Sequence, residues 1–197
     1  MNTALNLHKL ILMRREAERR LADADTLAEA EADMLAEAIA DADAPEARLC
    51  SVSDSAYLLR LLGLELLLKC VHEATLRTVS RHGHHYEVIF SALPAAMQAR
   101  LLRLAGERIG PSGLASDALG VLAEWGRNFI ALRYPYEKYE HLSEQVYRAL
   151  GERWVAEGAP LQSATFRYYP EELFGFVHAL RIVADEVASG ANESPLA

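Results

Sequence analysis

The chain has 197 residues, 51% of them hydrophobic; Ala (33) and Leu (31) supply almost a third, while Val, Ile and Thr together number only 21. This excess of helix formers over sheet formers disfavours a β-sandwich or barrel and weighs against an α/β sheet, and the apolar content excludes a wholly disordered chain. The net charge of −8 is local: residues 21–47 carry nine acids and no base, and the rest of the chain holds 20 basic against 19 acidic side chains.

In chain order, a long charged helix is expected from about Leu5 to Asp43, ending before Pro45, basic near Arg14 and Arg15 and acidic beyond. Ser51, Ser53 and Asp54 offer capping chemistry for a second helix running to about Ser80. Its stretch from Tyr57 to Val71 is apolar on nearly every side, which marks a central core helix. Gly83, in the turn Arg81-His82-Gly83-His84-His85, suits a left-handed C-cap. A short helix to Ala92 follows, and Pro94 fits the first position of another that ends near Arg108. Ser116 opens a helix carrying Leu119, Leu122, Trp125, Phe129 and Leu132. Pro135 breaks or bends the chain near Tyr134. Helix resumes to about Ala156, and Pro170 opens a last one ending near Ala188. The resulting organisation is a first helix over 1–48, a helical bundle over 49–189 and a frayed tail over 190–197.

Familiar chemistry is missing. The glycines form neither a phosphate-binding loop nor a dinucleotide fingerprint, and no zinc-helix or nucleophile-elbow motif occurs. His72, His82, His84 and His85 lack a carboxylate or thiolate at ligand spacing, so neither metal nor cofactor is expected. Two cysteines, Cys50 and Cys70, give no disulfide framework, and no stretch reads as a secretory leader or a membrane span. A reducing, cytoplasmic setting is the expectation.

Three motifs occur in a distinctive order: Glu65-Leu-Leu-Leu-Lys69, then Gly83-His84-His85-Tyr86-Glu87 leading to Leu93-Pro94, then Phe129-Ile-Ala-Leu-Arg133-Tyr134-Pro135-Tyr136-Glu137. Over roughly residues 50–188 this pattern resembles the HEPN superfamily. The resemblance implies an all-α bundle of four or more helices, here with a long N-terminal helix, and a symmetric homodimer. It also implies roles in RNA cleavage, toxin–antitoxin pairs or antiviral defence, with a nucleotidyltransferase antitoxin as one kind of cognate partner.

Catalytic HEPN domains use an Arg followed, after four to six residues, by a His. Their guanidinium stabilises phosphate charge while the imidazole moves protons. Here Arg133 would be that arginine and His141 the histidine, but seven residues separate them. On a straight helix that separation means about 12 Å of rise and roughly 80° of rotation. The two meet on one phosphate only if the chain bends at Pro135.

The reading is therefore an RNA-, nucleotide- or partner-binding module with a degenerate catalytic motif. Its ligand-binding residues would be His84, Glu65, Lys69, Tyr136 and Glu137. One alternative is a metal-independent endoribonuclease acting through Arg133 and His141, and another is a structural interaction protein. The structural explanation of the same residues is simple: Glu65–Lys69 and Arg133–Glu137 both have the spacing of helical ion pairs, and Trp125, Phe129, Tyr136 and Tyr139 would serve as core or interface packing.

Overall fold

The computed structural model describes residues 6–40, 54–158, 160 and 163–189. Within them the chain forms seven α-helices and one 3-10 turn, with no strand. They are α1 (Leu7–Ala40), α2 (Ser55–Leu76), α3 (Tyr86–Ser91), α4 (Ala95–Ile109), α5 (Gly113–Ala131), the 3-10 turn Pro135–Lys138, α6 (Glu144–Ala156) and α7 (Pro170–Ala188). The fold is all-helical, as composition required. Pro45, Cys50, Ser51, Ser53, the boundary near residue 48 and the tail 190–197 lie outside the described residues.

The apolar second helix is central. Leu61, Leu64, Leu67, Leu68 and Val71 are fully buried, and the core around them is completed by Phe90, Leu101, Trp125, Phe176 and Leu180. A helix this apolar on all sides must be surrounded, and α1, α3, α5 and α7 all pack against it.

Ion pairs give the direction of α1. Lys9 pairs with Glu73 at 2.6 Å and Asp25 with Arg60 at 3.2 Å, so α1 runs antiparallel to α2. Arg14 pairs with Asp185, and Glu18 with Arg181 at 2.7 Å, so α1 also runs antiparallel to α7. Leu10, Ala17, Leu21 and Ala24 form its buried stripe. Beyond Ala24 none of the described α1 side chains is buried, so the acidic half of the helix extends past the bundle core.

Helix ends depart from expectation in three places. The second helix stops at Leu76, where Arg77 adopts the left-handed cap (φ 55°) and donates its backbone N–H to Glu73 at 3.0 Å. Gly83 is also left-handed (φ 53°), but it turns the connection before α3 instead of closing α2. Pro94 is the N-cap of α4 and not its first residue. In α5 the opening turn starts at Gly113 and breaks at Asp117 (φ −150°, ψ 66°). Asp117 Oδ1 accepts the Gly120 N–H at 2.9 Å, so this carboxylate caps the regular part of the helix. Pro170 does open the last helix, behind a left-handed Tyr169 (φ 48°).

Candidate functional site

Glu65 faces the turn before α3 and the C-terminal end of α5. It is buried, with 6% of its surface exposed, yet both carboxylate oxygens are used. Oε1 accepts from Lys69 Nζ at 2.6 Å, one helical turn away. Oε2 lies 2.5 Å from His84 Nδ1. An ionised carboxylate only accepts, so Nδ1 is the donor of this bond. Among the described residues Nε2 has no hydrogen-bond partner.

The wall of this cluster is aromatic. The His84 ring lies 4.4 Å from the Phe129 ring, and the Arg133 guanidinium sits over Phe129 at 5.3 Å. Tyr86 is fully buried beside Glu65 and donates its hydroxyl to the Leu61 carbonyl at 3.4 Å. Burial, then the neighbouring carboxylate, pushes the Tyr86 hydroxyl far above its ordinary pKa, so it stays a donor. One buried anion thus orients an ammonium and an imidazole, while a guanidinium approaches over the shared ring. Lys69, His84 and Arg133 all keep exposure: the first two show 21% and 31% of their side chains, and Arg133 is open to solvent.

A second polar network fixes the segment that closes α5 from the other side. Trp125 Nε1 donates to the Tyr168 carbonyl at 3.1 Å, and Asn128 Nδ2 donates to the Arg167 carbonyl at 2.9 Å and to the Tyr57 hydroxyl at 3.2 Å. The Tyr168 hydroxyl donates to Asp54 at 2.6 Å. These bonds tie the turn of α5 just before Phe129 to the 167–168 segment and to α2.

The remaining sequence candidates lie apart from this cluster. α5 ends at Ala131, so Arg133 stands in a turn, and the straight-helix separation from His141 does not apply. Among the described residues no hydrogen bond or ion pair joins Arg133 to His141, which is exposed. The helical pair Arg133–Glu137 is absent for the same reason, because Pro135 converts the segment to a 3-10 turn. Tyr136 is 63% exposed, with its ring edge to face with Tyr134 and centroids 6.3 Å apart; it is surface and not core. Trp125 and Phe129 are core, as expected.

Three residues have roles in the cluster that the sequence reading does not give them. Phe129 links His84 to Arg133, and Tyr86 backs Glu65. Gly126 admits the His84 backbone, because a Cβ there would overlap the His84 carbonyl oxygen. An isolated glycine inside a strongly apolar helix is the one signal that could have found it.

Among the described residues no three His, Cys, Asp or Glu side chains gather as a metal-binding group, and no helix is long and apolar enough to cross a membrane. No family model, curated protein or solved structure matches the chain.

Proposed function

We propose that this protein is a HEPN-like helical module that binds a phosphate-bearing ligand, RNA or nucleotide, at Lys69, His84 and Arg133. The observation that carries the reading is the doubly used Glu65 carboxylate, which presents Lys69 Nζ and His84 beside the Arg133 guanidinium. Glu65, Lys69 and Arg133 together carry a formal charge of +1 whatever the state of His84. Guanidinium supplies the paired, directed hydrogen bonds that phosphate oxygens accept. The test is titration of a short single-stranded RNA and of a mononucleotide at low salt. Arg133→Ala and Lys69→Ala should each weaken binding without unfolding the protein, and added salt should weaken wild-type binding. No binding of either ligand at low salt would overturn the reading.

A second reading is favoured by the bond between His84 Nδ1 and the Glu65 carboxylate. An imidazole held through Nδ1 by a carboxylate keeps Nε2 available to accept a proton from a ribose 2′-hydroxyl. If the protein cleaves RNA without metal, His84 is the better placed base than His141. Cleavage in excess chelator that is lost in His84→Ala and Arg133→Ala, and kept in His141→Ala, would establish it. Inactive wild-type protein leaves binding alone.

A further inference from the structure

The segment that delivers His84 to Glu65 carries cations that the cluster itself does not use. At about 100° of rotation per residue, Glu65, Lys69, His72 and Leu76 fall on one face of α2. After the cap at Arg77 the chain turns back along that face. The Thr78 backbone meets the His72 side chain, and His84 Nδ1 reaches Glu65 at 2.5 Å. Residues 77–84 therefore retrace α2 from Arg77 to Glu65, about 18 Å of helix axis. Arg77 stands at the far end of this path, and Arg81 on the approach to the His82–His85 turn.

Between Glu73 and Glu87 the sequence holds two arginines, three histidines and no acid. Arg77, Arg81, His82 and His85 are exposed, and neither arginine forms an ion pair among the described residues. The acids at the margins are engaged. Glu65 holds Lys69 and Glu73 holds Lys9, both at 2.6 Å, and Glu87 lies 3.5 Å from His85. Counting Lys9, Lys69, Arg77, Arg81 and Arg133 against those three carboxylates leaves a formal surplus of +2 with every imidazole neutral. The surplus sits on the exposed guanidinium groups.

We infer that Arg77 and Arg81 extend the phosphate site along this segment, so that its ligand is a chain of linked phosphates and not a mononucleotide.

The inference rests on the phosphate reading of Lys69, His84 and Arg133, and it narrows the class of ligand. One phosphate held at that cluster leaves Arg77 about 18 Å away along the helix, beyond its reach. A linear polyanion engages the cluster and both arginines at once, and it releases counterions at each contact. The competing explanation is that cations favour the negative C-terminal end of a helix. It accounts for Arg77, at the cap of α2. It does not account for Arg81, which stands on the path back towards His84 and pairs with no acid.

The probes are octauridylate and uridine monophosphate, titrated against the full chain at low salt. Arg77→Gln with Arg81→Gln should weaken octauridylate about tenfold, as the loss of two charge-assisted contacts implies, and the monophosphate less than twofold. The slope of log affinity against log salt for octauridylate should become shallower by about 1.4, the value for two single-strand phosphates. Arg103→Gln with Arg148→Gln, which removes the same charge from α4 and α6, should change octauridylate affinity less than twofold. Inorganic polyphosphate is the second source of the same chemistry. Its binding should depend on Arg77 and Arg81 too, and whichever chain binds more tightly identifies the source. Octauridylate that loses affinity in Arg133→Ala but keeps wild-type affinity and salt slope in the Arg77 and Arg81 variant would overturn this inference alone. A monophosphate weakened as much as the octamer, or a control variant as weak as the test variant, would also overturn it, because general charge would then explain the effect. Wild-type protein that binds none of the three probes would overturn both the inference and the reading beneath it.

Discussion

Gly126 lies directly beneath the carbonyl oxygen of His84, so close that any β-carbon on α5 at this position would overlap it. The geometry of the polar cluster therefore depends on the absence of a side chain two turns from the functional groups. Gly126→Ala should push the His82–His85 turn outward, pull His84 Nδ1 away from Glu65 and cost about 1–3 kcal/mol through overpacking. Urea denaturation reads the stability, and the imidazole resonances of His84 read the displacement. Unchanged resonances in a stable variant would show that the turn has room to adapt.

Glu65 makes a different kind of contribution. Its removal takes away the shared acceptor of Lys69 and His84 and opens a hole beside Tyr86. Glu65→Ala should lower stability by about 3 kcal/mol, since breaking a buried charge arrangement by deleting one partner leaves the others uncompensated. Glu65→Gln keeps the volume and an acceptor, and should recover part of the loss. Denaturation midpoints equal to wild type in both variants would mean that solvent already satisfies Lys69 and His84.

How much of this was legible in the sequence follows from range of interaction. The central α2, the opening of α7 at Pro170 and the break at Pro135 are set by local periodicity and proline stereochemistry, and all are found. Glu65–Lys69 is also local, one turn of a helix. The His84–Glu65 bond spans 19 residues and a change of direction, so its existence could be suspected from the motif order but its geometry could not. The break at Pro135 is legible, but where it leaves Arg133 relative to His141 is not set by spacing. The motif order makes Tyr136 a ligand-binding candidate and aromatic character makes it a packing one, and neither signal reports its exposure. It stands exposed because the 3-10 turn and α6 lie outside the core, with no buried residue in either. Phe129 and Gly126 matter through contacts with the His82–His85 turn, and no spacing within α5 reports that turn.

Gly63 provides a comparable close approach on the opposite side of α2. A Cβ there would stand 2.7 Å from Leu21 Cγ and 3.3 Å from the Ala17 carbonyl of α1. The glycine lets Leu21 sink against α2, where it is 4% exposed. Gly63→Ala should push the packed half of α1 away and destabilise the protein by about 1–3 kcal/mol. The loss should fall on α1 first, with faster amide exchange from Leu10 to Ala24 than in α7. Uniform exchange changes across the bundle would argue that α1 is no separate layer.

His72 gives a pH dependence with a definite sign. It is buried, 3% exposed, and its Nδ1 has no hydrogen-bond partner among the described residues. Burial lowers its pKa below the ordinary histidine value; the neighbouring His82 pushes the same way, while a backbone bond to Thr78 and the Glu73 carboxylate oppose. The unfolded chain therefore binds a proton that the folded one resists. The folded-state advantage is fully present above the unfolded value of about 6.5, and it is lost as pH falls through the lower folded value. Stability should drop between pH 7 and 5 with a contribution from this residue of at most about 1.4 kcal/mol per pH unit. His72→Leu removes the titration and the unpaired nitrogen together, so its urea midpoint should vary less over that window than the wild-type midpoint. Equal pH slopes for the two proteins would show that His72 is hydrated in the folded state and that other histidines set the dependence.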